Sequence, residues 1–338
     1  MSARTVAIAR GARTNLALLG LLAVAFITGW IAFAYATAPA RWSLVLHATG
    51  GFAILALLPW KSMIARRGLG RSRPGRWASI LLGVLVLVSL VAGLLHSTGL
   101  LVYIGPLTAM DFHVGAAIAA VPLAIWHVVA RRVRARPTDL SRRNVLRGGA
   151  VVAGAAVAYT ATEMVVRATG TQGAARRFTG SYEAASFRPD LMPVSSWMFD
   201  AIPNIDSATW RLRAGGRDWS YDELVAFDDR LTATLDCTGG FFSTQEWSGV
   251  RLDRLIGKAD GASIRVVSST GYDRRFPVDR ASSLLLATRV GGQALDPGHG
   301  FPARLVVSDG RGFHWVKWVS AIEVDDMPHW WQSPFPLQ

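Results

Sequence analysis

The chain contains a single cysteine, Cys237, within the stretch L-D-C-T-G-G-F-F. A lone cysteine cannot form a disulfide within its own chain. Three roles are then open to it: a small buried apolar side chain, a nucleophile, or a soft thiolate ligand for a metal. Gly239 and Gly240 carry no side chain, so a bulky group can approach the backbone closely there. A cysteine at the end of a predicted strand and before two glycines favours the ligand role.

Histidine is the second residue type that could do chemistry, and four histidines lie in the apolar first half of the chain, at 47, 96, 113 and 127. His113 and His127 are separated by about 21 Å along one helix and by about 40° around its axis. An imidazole within an apolar helix is costly and therefore indicates a function. These histidines either ligate a haem or hydrogen-bond neighbouring helices, and the sequence leaves both interpretations open.

The elements that must position these histidines are apolar stretches. Four stretches of 18 to 22 residues contain no Lys, Arg, Asp or Glu, and a fifth contains only Glu163. In chain order they are 15–36, 43–60, 77–96, 112–130 and 148–166. About 20 apolar residues span a bilayer as a helix. The sequence therefore predicts an all-α membrane bundle of five transmembrane helices, in which residues 1–130 form a four-helix module.

The basic residues are concentrated in this apolar half. Residues 1–167 hold 18 basic and 3 acidic residues, a net charge of +15, whereas residues 168–338 hold 18 and 20, a net charge of −2. The loops 61–76 and 131–147 hold six and seven basic residues. The loop 37–42 holds one basic residue, and the loop 97–111 holds none. Because positive loops stay inside, we expect a multi-pass protein of a bacterial cytoplasmic membrane, with membrane lipid around it, the N-terminus inside and the C-terminal half outside. The distribution argues against a nucleic-acid partner.

Arg142 and Arg143 lie in the second basic loop, in S-R-R-N-V-L-R, directly before the fifth span. Adjacent arginines before an Ala/Gly-rich apolar stretch are typical of a twin-arginine export signal, which carries folded domains. We therefore expect residues 131–167 to engage the twin-arginine translocase and to remain as an anchor. The alternative is one more positive-inside cluster. Export after folding is needed when a cofactor is inserted in the cytoplasm.

The pattern changes after a polar linker expected at 168–186. Short alternating runs separated by Gly, Pro and Asp predict strands; they are W-R-L-R-A, R-L-T-A-T-L-D-C, S-I-R-V-V-S-S, A-R-L-V-V-S-D and V-K-W-V-S-A-I-E-V. Two patches, S-Y-D-E-L-V-A-F and V-R-L-D-R-L-I-G-K-A, predict short helices. Residues 187–338 are therefore expected to form an α+β domain that is mainly β.

The region around Cys237 resembles the oxo-molybdenum family that includes sulfite oxidase, assimilatory nitrate reductase and the catalytic subunit of periplasmic methionine-sulfoxide reductase. Cys237-Thr238-Gly239 is similar to its C-x-G motif, and E-W-S-G-V-R-L-D-R-L-I follows as in the family. I-P-N-I-D-S-A-T-W-R-L-R-A-G-G resembles its strand entry, and G-H-G-F-P-A-R with the later V-K-W resembles its pterin signature. The resemblance implies a sulfite oxidase-like fold and a molybdopterin whose molybdenum is ligated by Cys237.

The same resemblance assigns further residues. It implies that the cofactor is held by Thr238, Gly239, His299, Arg304 and Lys317. Arginine and lysine suit the phosphate of a pterin, which needs cationic hydrogen-bond donors. Tyr272, in S-S-T-G-Y-D-R-R-F-P, matches a segment that approaches the metal. It is therefore a candidate catalytic residue, with a structural role as the alternative.

The sequence departs from the family in three places. Gly240-Phe241-Phe242 stands where the family often has Asn-Arg-Arg, and S-S-W-M-F-D-A-I-P-N lacks the upstream Arg and His. Sites for sulfite and nitrate hold their oxyanions with arginines, so these substrates are not supported. Only twelve residues follow Asp326, too few for the family's dimerisation domain, so the catalytic domain is expected to be monomeric.

The predicted topology places His47, His96 and His113 near the outer face, while His127 lies near the inner face opposite Lys61. One haem b, held by His47 and His113 with His96 as the alternate ligand, is the second cofactor to be expected if these side chains bind a group at all. The sequence thus predicts a membrane-anchored, extracytoplasmic molybdopterin oxidoreductase of the oxo-transfer type, which exchanges electrons with a quinone or a redox partner. The alternatives are an anchored non-catalytic binding module and a cytochrome b-type electron carrier.

Overall fold

The computed structural model describes residues 3–35, 37, 40–69, 74–104, 107–133, 135–195, 201–258 and 260–332. Two compact units divide the chain: residues 1–32 with 38–180, and residues 33–37 with 181–338. The first unit is helical and the second is built mainly of strands. Position 36, where the first predicted span ends, and 333–338, where the predicted C-terminal domain ends, lie outside the described residues.

The helical unit contains five long helices. Their bounds are α1, Ala3–Ala34; α2, Ala40–Leu69; α3, Arg76–Thr98; α4, Ala109–Ala130; and α5, Arg142–Thr169. All five are long and apolar enough to cross a membrane. The prediction of five apolar helices is therefore confirmed, including the weaker fifth.

The connection from α3 to α4 shows how local sequence sets the helix ends. Gly99 follows α3 with a φ of +69°, a conformation that costs glycine little. A two-stranded hairpin comes next, formed by β1, Tyr103–Ile104, and β2, Leu107–Thr108. Thr108 and Asp111 then form a capping box: the Thr108 Oγ1 accepts from the Asp111 N–H at 3.1 Å, and the Asp111 carboxylate accepts from the Thr108 N–H at 2.8 Å. This cap fixes where the helix that carries His113 begins.

The helical unit exposes many of its large apolar side chains. Val84, Leu87 and Ile118 are 50%, 51% and 60% exposed, whereas the buried cluster is small and includes Leu18 and Ile54. Apolar surface of this extent is unfavourable in water and neutral in lipid. The surface is therefore typical of a bundle that lies in a bilayer.

The predicted twin-arginine motif lies at the start of α5, and the predicted linker begins near its end. Arg142 and Arg143 are the first residues of α5, and both are exposed. After α5, Thr171 donates a hydrogen bond from its Oγ1 to the Thr98 carbonyl at 2.7 Å, and Arg176 forms an ion pair with Glu163. The first part of the predicted linker is therefore packed against the helical unit.

The second unit contains eleven strands and two short α-helices among the described residues. In chain order they are β3, Tyr182–Glu183; β4, Arg211–Ala214; β5, Arg217–Ser220; α6, Tyr221–Val225; β6, Asp229–Asp236; β7, Phe241–Arg251; α7, Leu252–Ile256; β8, Ser263–Ser268; β9, Asp273–Pro277; β10, Leu285–Val290; β11, Gln293–Ala294; β12, Arg304–Val306; and β13, Val319–Asp325. The strand runs and the helical patches quoted from the sequence coincide with strands and helices of this unit. A C-terminal domain that is mainly β is confirmed.

These strands form two sheets. In the larger, the order is β11-β10-β7-β3, with β6 paired to β7 and β12 paired to β10; in the smaller it is β5-β4-β13-β8-β9. The core between them includes Trp247, Val266, Leu286 and Leu305, all fully buried. The long β6–β7 pairing runs from Asp229 to the end of β6, so the residue after β6 is held at the edge of a rigid ladder.

Candidate functional site

Cys237 directly follows β6, in the short connection to β7. Its N–H donates to the Phe241 carbonyl at 2.8 Å, and its own carbonyl accepts from the Gly240 N–H at 3.2 Å. Gly240 has a φ of +89°, so this turn requires a glycine there. The side chain is 6% exposed; the Gly239 N–H lies 3.4 Å from its Sγ and the Ser195 hydroxyl 3.2 Å from it. The Gly239 N–H is thus directed at the sulfur that would ligate a metal.

A buried ion pair fixes the backbone directly before Cys237. Asp236 pairs with Arg311, and their side chains are 2% and 3% exposed. The Asp236 carboxylate also accepts a hydrogen bond from the Ser181 hydroxyl at 2.7 Å. Gly312, the residue after Arg311, lies so close that an added Cβ would be 3.2 Å from the Cα of Cys237. The segment after β12 therefore forms one wall of the cysteine site.

The two predicted pterin-binding cations, Arg304 and Lys317, and the predicted histidine, His299, meet around one tight turn. Arg304 donates from Nη1 to the His299 carbonyl at 3.1 Å, and Lys317 donates to the carbonyls of Gly298 and Ser195 at 2.6 and 2.7 Å. At the centre of the turn is a glycine at position 300 with a φ of +111°, whose added Cβ would be 3.1 and 3.2 Å from the Cβ atoms of Arg304 and Lys317. The structure therefore brings the three predicted residues together at one turn, and their role in holding the cofactor stays a prediction.

Arg304 has the electrostatics of an anion-binding residue. Its side chain is 3% exposed and lies near the rings of Trp247 and Trp315, at 5.6 and 5.5 Å from their centroids. Burial lowers the pKa of Arg304 to about 10, and the nearby Cys237 acts in the opposite direction. Its Nε has no hydrogen-bond partner in the part of the chain that the structure describes. A buried guanidinium with an unsatisfied N–H is costly unless an anion compensates it. The residues present therefore fit an anionic cofactor beside Cys237.

The other predicted residues lie around the same turns. His299 is 6% exposed, and one ring nitrogen lies 3.0 Å from the Met192 carbonyl. Burial and the nearby Arg304 lower the pKa of His299, so its ring is neutral at neutral pH. Thr238 and Gly239 form the turn after the cysteine and are partly buried.

Tyr272 is hydrogen-bonded to the segment that contains Gly312. Its hydroxyl donates to the Phe313 carbonyl and accepts a hydrogen bond from Arg274 Nε at 2.7 Å. Arg274 is buried and lies near the rings of both Tyr272 and Phe313. Phe313 directly follows Gly312, so the hydroxyl is bound one residue away from the glycine that approaches Cys237.

Sequence reasoning missed His314, although it lies within the quoted G-R-G-F-H-W-V-K-W motif. Its Nδ1 is buried and has no hydrogen-bond partner among the residues described. Burial lowers the pKa of His314 to about 4, and the neighbouring Arg274 acts in the same direction. The signal that could have found it is its position three residues before Lys317, inside a motif that already supplied a candidate.

The helical unit holds a separate group of candidates. The rings of His47 and His113 meet edge to face with centroids 5.5 Å apart. His47 Nδ1 lies 2.7 Å from the Ala25 carbonyl, and His113 Nδ1 lies 2.7 Å from the Ser89 carbonyl. A carbonyl can only accept, so each Nδ1 carries the proton and each Nε2 has the lone pair that binds metals. The alternate ligand, His96, instead places its Nε2 2.8 Å from the Gly180 carbonyl.

Two glycines leave room for these two rings where the helices approach each other closely. An added Cβ on Gly29 of α1 would lie 2.8 Å from the His47 ring, and one on Gly93 of α3 would lie 2.8 Å from the His113 ring. Each glycine is one turn after the residue whose carbonyl binds the same histidine, Ala25 or Ser89. The α1–α2 and α3–α4 pairs therefore hold their histidines in the same way.

Comparison with known proteins finds a family and relatives that are similar to part of the chain. Residues 199–331 match the oxidoreductase molybdopterin binding domain family. The mitochondrial sulfite oxidase of Macaca fascicularis is 28% identical over 174 residues, which cover 38% of this chain and 32% of that protein. The NADPH nitrate reductase of Phytophthora infestans is 34% identical over 98 residues, which cover 25% and 11%. The chain thus spans about a third of the sulfite oxidases that it matches.

A solved structure also matches part of the chain. The sulfane dehydrogenase SoxCD from Paracoccus pantotrophus is 25% identical, with a TM-score of 0.35, and the match covers 37% of this chain and 40% of that one. The family match contains Cys237, Tyr272, His299, Arg304 and Lys317. The resemblance read from the motifs is confirmed for the C-terminal region.

Proposed function

We propose that the chain is a molybdenum-cofactor oxidoreductase of the oxo-transfer type with Cys237 as the metal ligand, because residues 199–331 match the oxidoreductase molybdopterin binding domain family. The observation that carries the proposal is the buried Arg304 guanidinium, whose Nε lacks a partner among the described residues and whose charge interacts with Cys237. A buried cation beside a cysteine in this family indicates that an anionic group belongs between or next to them.

Each residue of the site has a task in this proposal. The Cys237 Sγ supplies the thiolate ligand, and the Gly239 N–H stabilises its negative charge. Arg304 binds the anionic pterin, while His299 and Lys317 fix the turn from which it approaches. When bound, the molybdenum centre supplies two-electron redox chemistry coupled to transfer of an oxygen atom. Tyr272 holds its proton on the Phe313 carbonyl and orients Arg274 near the site.

A metal analysis tests this proposal. Full-length protein purified from a host that makes molybdopterin should contain about one molybdenum per chain, and Cys237→Ser should lose the oxidoreductase activity. Ser207→Ala, remote from the cysteine in the sequence, is the control that should keep both. Wild-type protein that folds and holds no molybdenum would instead favour the anchored non-catalytic module. A haem spectrum without molybdenum would favour the cytochrome b-type carrier.

The placement of this domain in the cell is part of the proposal. The five helices of membrane length support anchoring in a bacterial cytoplasmic membrane, and the arginine-rich loops support an outside location for the C-terminal domain. Export through the twin-arginine translocase would let the domain fold around its cofactor before it crosses. In cells, Arg142→Lys with Arg143→Lys should leave the first four helices inserted and protect the C-terminal domain from protease added to spheroplasts. Continued digestion would show that the two arginines are only loop charges.

Electron exchange with the membrane is the last part of the proposal, and it uses a haem b held by His47 and His113. Their Nδ1 atoms bind backbone carbonyls, which is the way that metal-ligating histidines are commonly oriented, and their rings face each other. Reduction of wild-type protein with dithionite should produce the bands of a low-spin b-type cytochrome. His47→Ala and His113→Ala should each abolish them without changing the molybdenum content, and His96→Ala should keep them. Without such bands in protein made with ample haem, the helices serve only as an anchor.

A further inference from the structure

A second polar cluster lies in the helical unit, away from the histidine pair. Each of the first four helices contributes one side chain to it: Asn15, Lys61, Ser79 and His127. Lys61 donates from Nζ to the Asn15 Oδ1 at 2.9 Å, and the Ser79 hydroxyl lies 3.1 Å from His127 Nδ1. Lys61 and His127 are also close enough to interact electrostatically. All four residues lie inside helices of membrane length, where polar side chains are costly and indicate function.

The positions of this cluster repeat those of the histidine pair. Lys61 follows His47 by 14 residues on α2, and His127 follows His113 by 14 residues on α4. Fourteen residues advance a helix by about 21 Å and return to within about 40° of the same face. Lys61 and His127 therefore occupy equivalent places on the two helices, on the faces that bring the histidines together and toward the arginine-rich helix ends.

These side chains point away from the outer surface of the bundle. Lys61 and His127 are partly buried, whereas their neighbours Trp60, Met63 and Val129 are 53%, 51% and 57% exposed. A lysine that only reached for lipid headgroups would lie on the exposed face with these neighbours. The cluster is therefore directed toward the inside of the unit.

The charge of Lys61 requires an acceptor. Residues 1–167 contain only three carboxylates: Asp111 caps α4, Asp139 pairs with Arg13 and Glu163 pairs with Arg176. Within the described residues, the only hydrogen bond of the Lys61 ammonium goes to the neutral Asn15. An ammonium has three donors, so it can bind a further oxygen.

We propose that this cluster binds the headgroup of an isoprenoid quinone, with Lys61 and His127 as donors to its carbonyl oxygens. A quinone has two carbonyl oxygens on an apolar ring, which matches two N–H donors in an apolar bundle. In the reaction, a quinol releases two electrons and two protons and becomes a quinone, or a quinone takes them up and becomes a quinol. A haem held by His47 and His113 would take or supply these electrons one at a time, and His127 and Lys61 would exchange the protons with water at the arginine-rich face. The inference rests on the proposed electron exchange and names its membrane partner.

The test uses full-length protein in lipid nanodiscs and two independent measurements. Decylubiquinol and menadiol are added to oxidised protein, and the haem bands are followed in time. Binding of tritiated decylubiquinone is measured separately, so a protein without haem still gives a result. In Lys61→Met with His127→Leu, haem reduction by quinol and quinone binding should each fall by about tenfold or more, the expected effect of losing hydrogen bonds from charged donors. The control is Ser62→Ala, an exposed neighbour bound only to the Pro59 carbonyl among the residues described.

The outcomes separate this inference from the haem. In one outcome, dithionite produces the haem bands in wild type and in the double variant, and the double variant keeps its haem reduction by quinol and its quinone binding. This result overturns the quinone site and keeps the haem. No haem bands with dithionite contradict the haem, while loss of quinone binding in the double variant still supports the site. In another outcome, quinone binding stays unchanged, while wild type retains anionic phospholipid and the double variant loses it. The ligand of the cluster is then a lipid headgroup, and the inference is overturned.

Discussion

Replacing Arg304 with methionine should change the stability of the protein in opposite directions with and without its cofactor. In the folded chain Arg304 is fully buried, and burial lowers its pKa to about 10 from an ordinary value of 12.5. Because the lowered pKa disfavours the charged form of a base, the buried charge destabilises the cofactor-free fold by roughly 3 kcal/mol at neutral pH. Methionine removes that cost and fills a similar space beside Trp247 and Trp315.

The substitution also removes a favourable contact. The hydrogen bond from Arg304 Nη1 to the His299 carbonyl contributes roughly 1 to 2 kcal/mol. The free energy of unfolding of cofactor-free Arg304→Met should therefore be about 1 to 2 kcal/mol higher than that of wild type. In the loaded protein the anionic cofactor loses its cationic partner, so its affinity should fall by about tenfold to a hundredfold.

The assay is thermal unfolding of protein made in two hosts, one unable to make molybdopterin and one able to, together with molybdenum content by mass spectrometry. Arg304→Lys keeps the charge and is the matched control; it should not stabilise the cofactor-free protein. A cofactor-free Arg304→Met protein that melts well below wild type, or a loaded one that keeps its full molybdenum content, would refute the reasoning.

Three further predictions concern the surroundings of the two sites. Burial lowers the pKa of His314 to about 4 from 6.5, so the folded protein favours the neutral ring. The free energy of unfolding should therefore fall by roughly 3 kcal/mol as the pH drops from about 6.5 to about 4. In an acid titration followed by tryptophan circular dichroism, His314→Gln should lack this part of the loss. Asp236→Asn deprives the buried Arg311 of its charge partner and should destabilise the C-terminal domain by about 3 to 5 kcal/mol in thermal unfolding; an unchanged midpoint would contradict a buried ion pair. Gly93→Ala places a Cβ against the α4 histidine and should weaken the low-spin haem bands, whereas Gly83→Ala, with nothing within 4 Å, should leave them intact; equal spectra would show that Gly93 does not position the ligand.

The helices and most strands could be predicted because their signals are local. An apolar stretch such as 77–96 is read from its own residues, and α3 covers it at Arg76–Thr98. The position of Cys237 at the end of a strand is likewise read from the alternation that precedes it and the glycines that follow. Such patterns need no knowledge of distant residues.

The contacts that complete the sites are long-range and have no local signal. Asp236 and Arg311 are 75 residues apart, and nothing near either residue indicates that their charges pair in the core. The carbonyl of Ala25 binds His47 across 22 residues because two helices pack closely at a glycine, which depends on tertiary structure. The depth of His47 and His113 could be inferred from hydropathy, but their hydrogen bonds could not.

X-ray absorption at the molybdenum K-edge tests the central claim most directly, since it counts the sulfur neighbours of the metal. Full-length wild-type protein and Cys237→Ser, both made in a host that supplies molybdopterin, should be compared at equal metal content. The account predicts one fewer sulfur neighbour in Cys237→Ser, because the Cys237 Sγ is the protein ligand. Molybdenum with the same number of sulfur neighbours in both proteins would contradict it.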